Sequence, residues 1–423
     1  MDELRAMQTL SYSELAVRVM KDFVAPDLSP GELAALVQES YAGFSSPEVT
    51  PLRKLDEGLF LLELFHGPTL AFKDIALQFL GRVFGHFAHK RGSALTVLGA
   101  TSGDTGSAAI AGCRRVKGIR VFILYPHKRP SELQRRQMTC IDAPNVHVLA
   151  VQGTFDDCQA LVKRAFQDPE LKKKCELTAV NSINWARIIA QSVYYFYAGL
   201  RAGALEKPVN FVVPSGNFGN IYAGYVAKRL GLPVNKLVAA TNRNDSLAKF
   251  IQTGLLQPGP VVPSLSPSMD IQIASNLERY LFELLGHDGE ALKAALQEGS
   301  KVKGYKLPAE ALQKMQGDFL AERADDRTTK DTMRDMWTIL NVLADPHTAV
   351  GLYAATKLYG SLPGSVISLA CADPAKFPDT VKAATRQTSP VPPSLVNLEK
   401  KRERFTILPN SDQALRGFIL NHT

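Results

Sequence analysis

A chain of 423 residues is too long for one ordinary hydrophobic core, so we expect two or three domains. Its composition, 45% hydrophobic and 21% charged, is that of a folded soluble protein, with no apolar run long enough to span a bilayer and no signal-peptide pattern. The formal net charge of +8 does not indicate a nucleic-acid partner, because the basic residues form short clusters separated by acids.

Without a membrane span or a signal-peptide pattern, a cytoplasmic location is expected, and the cysteines fit a reducing compartment. They are odd in number and widely scattered, with no CxxC pair, which argues against a disulfide framework and against a structural zinc site. No metal is expected. The five cysteines are Cys113, Cys140, Cys158, Cys175 and Cys371.

The first predicted elements are two amphipathic helices within residues 7–44, separated by a turn between Pro26 and Pro30. From residue 59 onwards, short apolar runs typical of strands buried on both faces alternate with helical patterns, which predicts an α/β fold with parallel sheets. Ligands of such sheets bind at the carboxyl ends of the strands. The predicted strands are 95–99, 121–125, 146–151, 209–213, 237–240 and 365–370, and residues 257–270 are predicted to be an extended segment or loop.

Lys73 stands between a turn, Gly67-Pro68-Thr69, and a helical pattern of apolar residues that continues to Leu80. An ammonium in such a place is partly desolvated, which lowers its pKa and makes the neutral amine available as a nucleophile. A Schiff base with an aldehyde cofactor is one use of such a lysine. A solvated lysine paired with Asp74 would give the same sequence pattern.

Two glycine-rich loops follow predicted strands and precede predicted helices, where backbone amides and the helix dipole favour an anion. The first is Gly99-Ala-Thr-Ser-Gly-Asp-Thr-Gly106, for which the simpler interpretation is a turn capped by Asp104 or Thr105. The second is Val213-Pro-Ser-Gly-Asn-Phe-Gly-Asn220, whose amides could surround a phosphate. Neither loop has the spacing of a dinucleotide-binding motif or of a P-loop.

Three further segments carry candidate ligands. In Val180-Asn-Ser-Ile-Asn-Trp-Ala-Arg187, Arg187 falls in the first turn of a helix beginning near Asn184, and its planar fork suits a phosphate or a carboxylate. Ala344-Asp-Pro-His-Thr-Ala-Val-Gly351 predicts a helix start capped by Thr348. His347 in this turn is more often a structural residue than a catalytic one. Cys371, just after a strand, could face a cofactor ring nitrogen or be an ordinary buried thiol.

These motifs resemble those of the bacterial and fungal threonine synthases, which are pyridoxal-phosphate enzymes of the tryptophan-synthase-β-like fold. HGPTLAFKD, GATSGDTG, NSINWAR, PSGNFGN, AATNRND and DPHTAVG occur in that order between about residues 10 and 385. The resemblance implies two parallel-type α/β domains with the cofactor site in the cleft between them, plus a small helical N-terminal segment. The expected boundaries are 1–50 for that segment, 51–92 with 205–423 for the large cofactor-binding domain, and 93–204 for the small domain.

The resemblance also implies roles for individual residues. Lys73 would form the Schiff base with pyridoxal 5'-phosphate and then move protons on the substrate. The remaining expected cofactor contacts are Ser215, Gly216, Asn217, Phe218, Gly219, Asn220 and Cys371, and the expected substrate contacts are Thr101, Ser102, Asp104, Thr105, Asn184 and Arg187.

The reaction implied is the conversion of O-phosphohomoserine and water to L-threonine and phosphate, by a monomer or a homodimer. Two departures from the family pattern keep alternatives open. The family usually has Thr and His where this chain has Cys371 and Asp373, and a Ser-Thr-Arg-Gly segment that usually precedes the Tyr12–Phe23 helix is not present in the sequence. One alternative is a phospho-lyase that releases 2-oxobutyrate from the same substrate. The other is a non-catalytic homologue that binds pyridoxal phosphate.

Overall fold

The computed structural model describes residues 1–301 and 303–423, and the chain forms two compact units. Unit 1 comprises residues 1–30, 46–66 and 188–390, and unit 2 comprises residues 31–45, 67–187 and 391–423. Among the described helices, none is both long and apolar enough to cross a membrane.

The helices, in chain order, are α1 (Asp2–Gln8), α2 (Tyr12–Val24), α3 (Pro30–Tyr41), α4 (Lys73–Arg91), α5 (Asp104–Cys113), α6 (Glu132–Thr139), α7 (Phe155–Ala165), α8 (Pro169–Lys174), α9 (Trp185–Arg201), α10 (Gly219–Arg229), α11 (Ser246–Thr253), α12 (Leu277–Leu284), α13 (Gly289–Gly299), α14 (Ala309–Asp318), α15 (Asp326–Leu340), α16 (Pro346–Leu358), α17 (Pro378–Thr385) and α18 (Asp412–Asn421). The strands are β1 (Leu52–Asp56), β2 (Leu59–Glu63), β3 (Leu95–Ala100), β4 (Ile119–Pro126), β5 (Val146–Gln152), β6 (Glu176–Ala179), β7 (Val209–Pro214), β8 (Val234–Thr241), β9 (Leu255–Leu256), β10 (Tyr305–Lys306), β11 (Phe319–Arg323), β12 (Val366–Ala370) and β13 (Thr406–Pro409).

Each unit is built on one large sheet, and unit 1 has in addition an antiparallel two-stranded sheet of β9 and β10. In unit 1 the strand order is β1-β2-β12-β7-β8-β11, and every neighbouring pair is parallel except β1 with β2. In unit 2 the order is β13-β5-β4-β3-β6, with parallel pairing throughout. The prediction of an α/β fold with parallel sheets is confirmed.

The sheet of unit 2 is buried on both faces, which explains its apolar strands. Val97 and Val121 belong to a core that includes α4 and α5, whereas Leu98 and Phe122 belong to a core that includes α7 and α18. Successive side chains of a strand point to opposite faces, so a strand covered on both sides must be apolar along its whole length.

The boundaries of the compact units differ from the expected domain boundaries. Residues 1–30 join unit 1, where the ring of Tyr12 lies 5.4 Å from that of Tyr197 on α9. Helix α4 joins unit 2 because it packs closely on α5, where a Cβ atom on Gly81 would lie 2.1 Å from the Gly112 carbonyl. Residues 391–423 join unit 2 because β13 pairs with β5. These assignments depend on contacts between distant segments, which local sequence patterns do not encode.

Candidate active site

Lys73 is the first residue of α4 and follows a turn that the Asp74 carboxylate holds together. Asp74 is fully buried, and its two oxygens accept 2.8 Å hydrogen bonds from the amide and the hydroxyl of Thr69. Glycine is needed at position 67, because a Cβ atom there would lie 2.4 Å from the Asp74 side chain. The turn predicted before Lys73 is therefore fixed by buried polar contacts.

The Lys73 ammonium forms an ion pair with Asp104, the first residue of α5, at 3.4 Å. The two side chains are only 13% and 4% exposed, and the second oxygen of Asp104 accepts a 3.2 Å hydrogen bond from the Gln134 side chain. Removing one partner of such a pair leaves an uncompensated charge, so each holds the other in place. The Lys73 ammonium is therefore largely buried at a helix start and paired with a carboxylate.

The loop between β3 and α5 is held in shape by Thr101, whose hydroxyl accepts hydrogen bonds from the amides of Gly103 and Gly106 at 3.0 and 2.9 Å. Helix α5 begins with Gly103 as its N-cap and with no side-chain cap, so neither Asp104 nor Thr105 caps it. Ser102 is exposed and Thr105 is half-buried. The loop therefore presents two hydroxyls and an uncapped helix start, while the Thr101 hydroxyl is already engaged.

The segment after β6 lies beside that loop, because β6 pairs with β3 and Ala179 is opposite Leu98. Helix α9 begins at Trp185, close to the predicted start. Asn184 donates to the Ala179 carbonyl at 3.2 Å and accepts from the Ala186 amide at 3.0 Å. Arg187 is buried and donates to the Val180 carbonyl at 2.8 Å. The five donors of an arginine lie in a planar fork, a geometry that suits a phosphate or a carboxylate.

In unit 1, the loop between β7 and α10 is an open cradle of backbone amides. Phe218, the N-cap of α10, has a φ of 63°, and its side chain does not cap the helix. In the described part of the chain, the amides of residues 216–219 have no hydrogen-bond acceptor. A Cβ atom on Gly216 would lie 3.0 Å from the Ser268 carbonyl, so this position is best kept as glycine. Amides at a helix start favour an anion such as a phosphate.

Asn220, in the first turn of α10, is oriented by two buried tyrosines. Its side-chain oxygen accepts hydrogen bonds from the Tyr194 and Tyr195 hydroxyls, at 2.5 and 2.9 Å. Its side-chain nitrogen is buried and has no hydrogen-bond partner among the described residues. A buried donor without an acceptor is costly, so a bound group that accepts from Asn220 would stabilise the site.

Cys371 directly follows β12, the neighbour of β7, and is buried. Its amide donates a 2.9 Å hydrogen bond to the hydroxyl of Thr348 on α16. The cap of α16 is Asp345 and not Thr348, which corrects the sequence-based prediction. The Asp345 carboxylate accepts from the His347 and Thr348 amides and from the Thr348 hydroxyl, and it lies 2.8 Å from the His347 ring.

Asp373, the other departure from the family pattern, caps a short helical turn by accepting a 2.8 Å hydrogen bond from the Ala375 amide. Burial raises the pKa of the Asp373 carboxyl above its usual range. The residue therefore has a structural role of its own, beside any effect on a ligand.

Sequence reasoning missed several residues that position the site, namely Gln134, Tyr194, Tyr195 and Asp345. Asp345 carries a recognisable signal, since an aspartate before proline at a helix start is a typical cap. The two tyrosines lie within the continuous apolar pattern of α9, and no local signal separates them from core residues. No cluster of metal-binding side chains is present among the described residues.

Comparisons with known proteins place the chain among the pyridoxal-phosphate-dependent enzymes. A family model described as "Pyridoxal-phosphate dependent enzyme" matches residues 45–372. Two more models, described as the threonine synthase N terminus and the threonine synthase C-terminal region, match residues 1–41 and 348–419. The chain belongs to the threonine synthase family.

Three relatives illustrate the similarity. A threonine synthase of Pseudomonas aeruginosa is 46% identical over 425 aligned residues, covering 100% of this chain and 90% of the relative. The structure of pyridoxal-phosphate-bound threonine synthase from Brucella melitensis has a TM-score of 0.95 at 42% identity, covering 100% of this chain and 90% of that one. The yeast threonine synthase structure has a TM-score of 0.91 at 39% identity, covering 98% of this chain and 89% of that one.

The residues of this chain fit the family's cofactor. The open amides of residues 216–219 suit a phosphate, and the buried Asn220 nitrogen offers a donor that has no other partner. Lys73 would supply the amine that an aldehyde requires.

Proposed function

We propose that this protein converts O-phosphohomoserine and water to L-threonine and phosphate, with pyridoxal phosphate attached to Lys73. The observation that carries the proposal is the buried pair of Lys73 and Asp104 at the starts of α4 and α5, in a chain whose other unit has an open phosphate cradle. The family membership of the whole chain supports the same reaction.

The cofactor would be held by the loop after β7 and by the end of β12. Gly216, Asn217, Phe218 and Gly219 would donate backbone amides to its phosphate, with Ser215 and Asn220 flanking them. The side-chain nitrogen of Asn220 would donate to the cofactor, which supplies the acceptor that the protein lacks. Cys371 would face the ring nitrogen, where a thiol is a weaker hydrogen-bonding partner than a hydroxyl.

The substrate's own charges would be met in unit 2. Ser102, Thr105 and the amides at the start of α5 would bind its phosphate, and Arg187 and Asn184 would bind its phosphate or carboxylate. The side chain of Asp104 is itself an anion, so it would contribute its amide to the substrate and its carboxylate to Lys73. Thr101 would act by holding the loop, because its hydroxyl is bonded to loop amides.

When bound, the cofactor supplies an electron sink that stabilises negative charge on the substrate's amine-bearing carbon. The chain's own contribution is to move protons and to control water. Lys73, which pairs with Asp104, would take and return protons at Cα, Cβ and Cγ of the substrate. The loops around residues 102 and 187 would retain the leaving phosphate and exclude water until it is needed at Cβ.

The alternative enzymatic function, that of a phospho-lyase, is suggested by Cys371 and Asp373. These replacements could let the product leave as 2-oxobutyrate, ammonium and phosphate before water adds at Cβ. A non-catalytic homologue is the third alternative, and the presence of Lys73 together with both glycine-rich loops argues against it.

The test is to incubate purified holoenzyme with O-phosphohomoserine and to measure phosphate, threonine and 2-oxobutyrate in the same samples. Threonine and phosphate in equal amounts are expected. Release of 2-oxobutyrate with phosphate and no threonine would identify the phospho-lyase. No phosphate release, from protein shown to contain the cofactor, would favour the non-catalytic reading.

We further propose that the protein acts in the cytoplasm, as a monomer or a homodimer, without a nucleic-acid partner. The location is supported by the five cysteines, which are all free thiols. Light scattering of the purified protein would distinguish the monomer from the homodimer.

A further inference from the structure

Unit 2 contains a cavity of about 560 Å³ that the proposed reaction does not use. Gln78 and Arg82 of α4 line one side, and Arg114 and Arg115, just beyond the end of α5, line another. Its volume lies within the range of small-molecule sites.

The wall of this cavity is rich in cations whose charge is not balanced. It contains four cationic residues, Arg82, Arg114, Arg115 and Lys401, and two acidic ones, Glu39 and Asp142. Both acids already have partners, since Glu39 lies 3.9 Å from Arg82 and Asp142 pairs with Arg404.

By contrast, Arg114, Arg115 and Lys401 form no ion pair with any described residue. The side chains of Arg114 and Arg115 are exposed, and partial desolvation of the Arg114 guanidinium, followed by repulsion from Arg115 and Arg82, lowers the pKa of Arg114. An anion in the cavity would relieve this repulsion.

An independent observation points to a ligand at the same place. Gln78 is only 5% exposed, and its side-chain nitrogen is buried without a hydrogen-bond partner among the described residues. Buried donors in folded proteins are nearly always paired, so this one calls for an acceptor. Guanidinium groups and an amide nitrogen are all donors, which defines the ligand as an acceptor of hydrogen bonds.

We propose that this cavity binds a small organic anion bearing phosphate or carboxylate groups, held by Arg114, Arg115 and Gln78. The ligand contacts α4 and α5, the helices that begin with Lys73 and Asp104. Their close approach at Gly81 and Gly112 ties the two helices together. A ligand bound here therefore contacts the two helices that begin with Lys73 and Asp104. It does not contact that pair itself, because neither residue lines the cavity.

Cys140 provides a readout specific to this cavity, because it lines the wall and is partly exposed, whereas the other four cysteines are buried. The experiment follows alkylation of Cys140 by iodoacetamide in the holoenzyme, using peptide mass spectrometry. The probes are glycerol 3-phosphate and citrate, with glycerol and sodium chloride as neutral and ionic-strength controls. We expect one or both anions to slow alkylation saturably at millimolar concentration, and which one does so identifies the ligand as a phosphate or a carboxylate.

Variants connect the protection to the proposed residues. Arg114→Ala should raise the half-saturating concentration about tenfold, the effect of losing one charge-assisted hydrogen bond. Lys117→Ala removes the same charge from an exposed position outside the cavity and should leave protection unchanged. Arg115→Gly is a second test that preserves the backbone, because Arg115 has a φ of 59° that glycine adopts freely. The proposal is overturned if neither anion slows alkylation. It is also overturned if the anion protects both arginine variants to the same extent as the wild type.

Discussion

The backbone amide of Cys371 donates a 2.9 Å hydrogen bond to the hydroxyl of Thr348, which in turn donates to the Asp345 carboxylate. The residue expected to face the cofactor ring is thus positioned by the start of a helix that lies more than 20 residues earlier in the sequence. The position of Cys371 therefore depends on the integrity of the α16 cap, a dependence that can be tested.

Asp345→Ala should lower the free energy of unfolding by about 2–3 kcal/mol, because it removes a helix cap and leaves buried donors of His347 and Thr348 without an acceptor. Denaturant unfolding would measure the change. Asp325→Ala removes the equivalent cap of α15 at an exposed position and should cost only about 0.5–1 kcal/mol. Equal losses in the two variants would contradict the buried network around Asp345.

Lys73→Ala should reduce turnover of O-phosphohomoserine by about 10³ or more, because the variant loses both the cofactor's attachment point and the proton-transfer group. Its unfolding should remain cooperative. In the wild type, borohydride reduction followed by peptide mass spectrometry should find the cofactor on Lys73. Lys90→Ala, an exposed position in the last turn of the same helix, is the matched control and should behave as the wild type. Cofactor fixed on another lysine would refute the assignment.

Cys371→Thr restores the residue that the family usually has at this position. A hydroxyl is a better hydrogen-bonding partner than a thiol, so we expect turnover to rise about two- to tenfold. Steady-state assays of threonine and 2-oxobutyrate would measure both the rate and the product ratio. Cys371→Ala should lower the turnover rate, because it removes the hydrogen-bonding side chain. Identical kinetics for all three proteins would show that the side chain at this position does not contact the ring.

His147 should make the protein less stable in mild acid. Burial, and secondarily the nearby His422, lowers the pKa of His147 from 6.5 to about 4. The unfolded chain therefore binds a proton at a higher pH than the folded one, and stability is lost as pH falls from about 6.5 to about 4. His147→Phe, which keeps the stacking on Phe122, should make the melting temperature fall less steeply across this range. His89→Gln, at an exposed position, is the control and should follow the wild type. A variant with an unchanged slope would contradict the prediction.

The strands and the loops that follow them could be predicted because their signals are local. The apolar strands 95–99 and 209–213 and the glycine-rich turns after them are visible as runs of residues, and the structure places strands and turns there. The partners of those turns could not be predicted in the same way. Gln134 reaches Asp104 from 30 residues away, and Tyr195 reaches Asn220 from 25 residues away. Such pairs are set by tertiary packing, which cannot be deduced from the composition of either segment.

The last strand and helix of the chain have a consequence for its synthesis. Strand β13 completes the edge of the unit 2 sheet beside β5, and Leu415 and Ile419 of α18 join the core that covers one face of that sheet. Because β13 is synthesised more than 250 residues after β5, the β5 edge of the sheet stays open until that distant segment has been made. Unit 2 therefore cannot complete its sheet while the intervening residues are being synthesised, and the unpaired β5 edge is open to aggregation during that time.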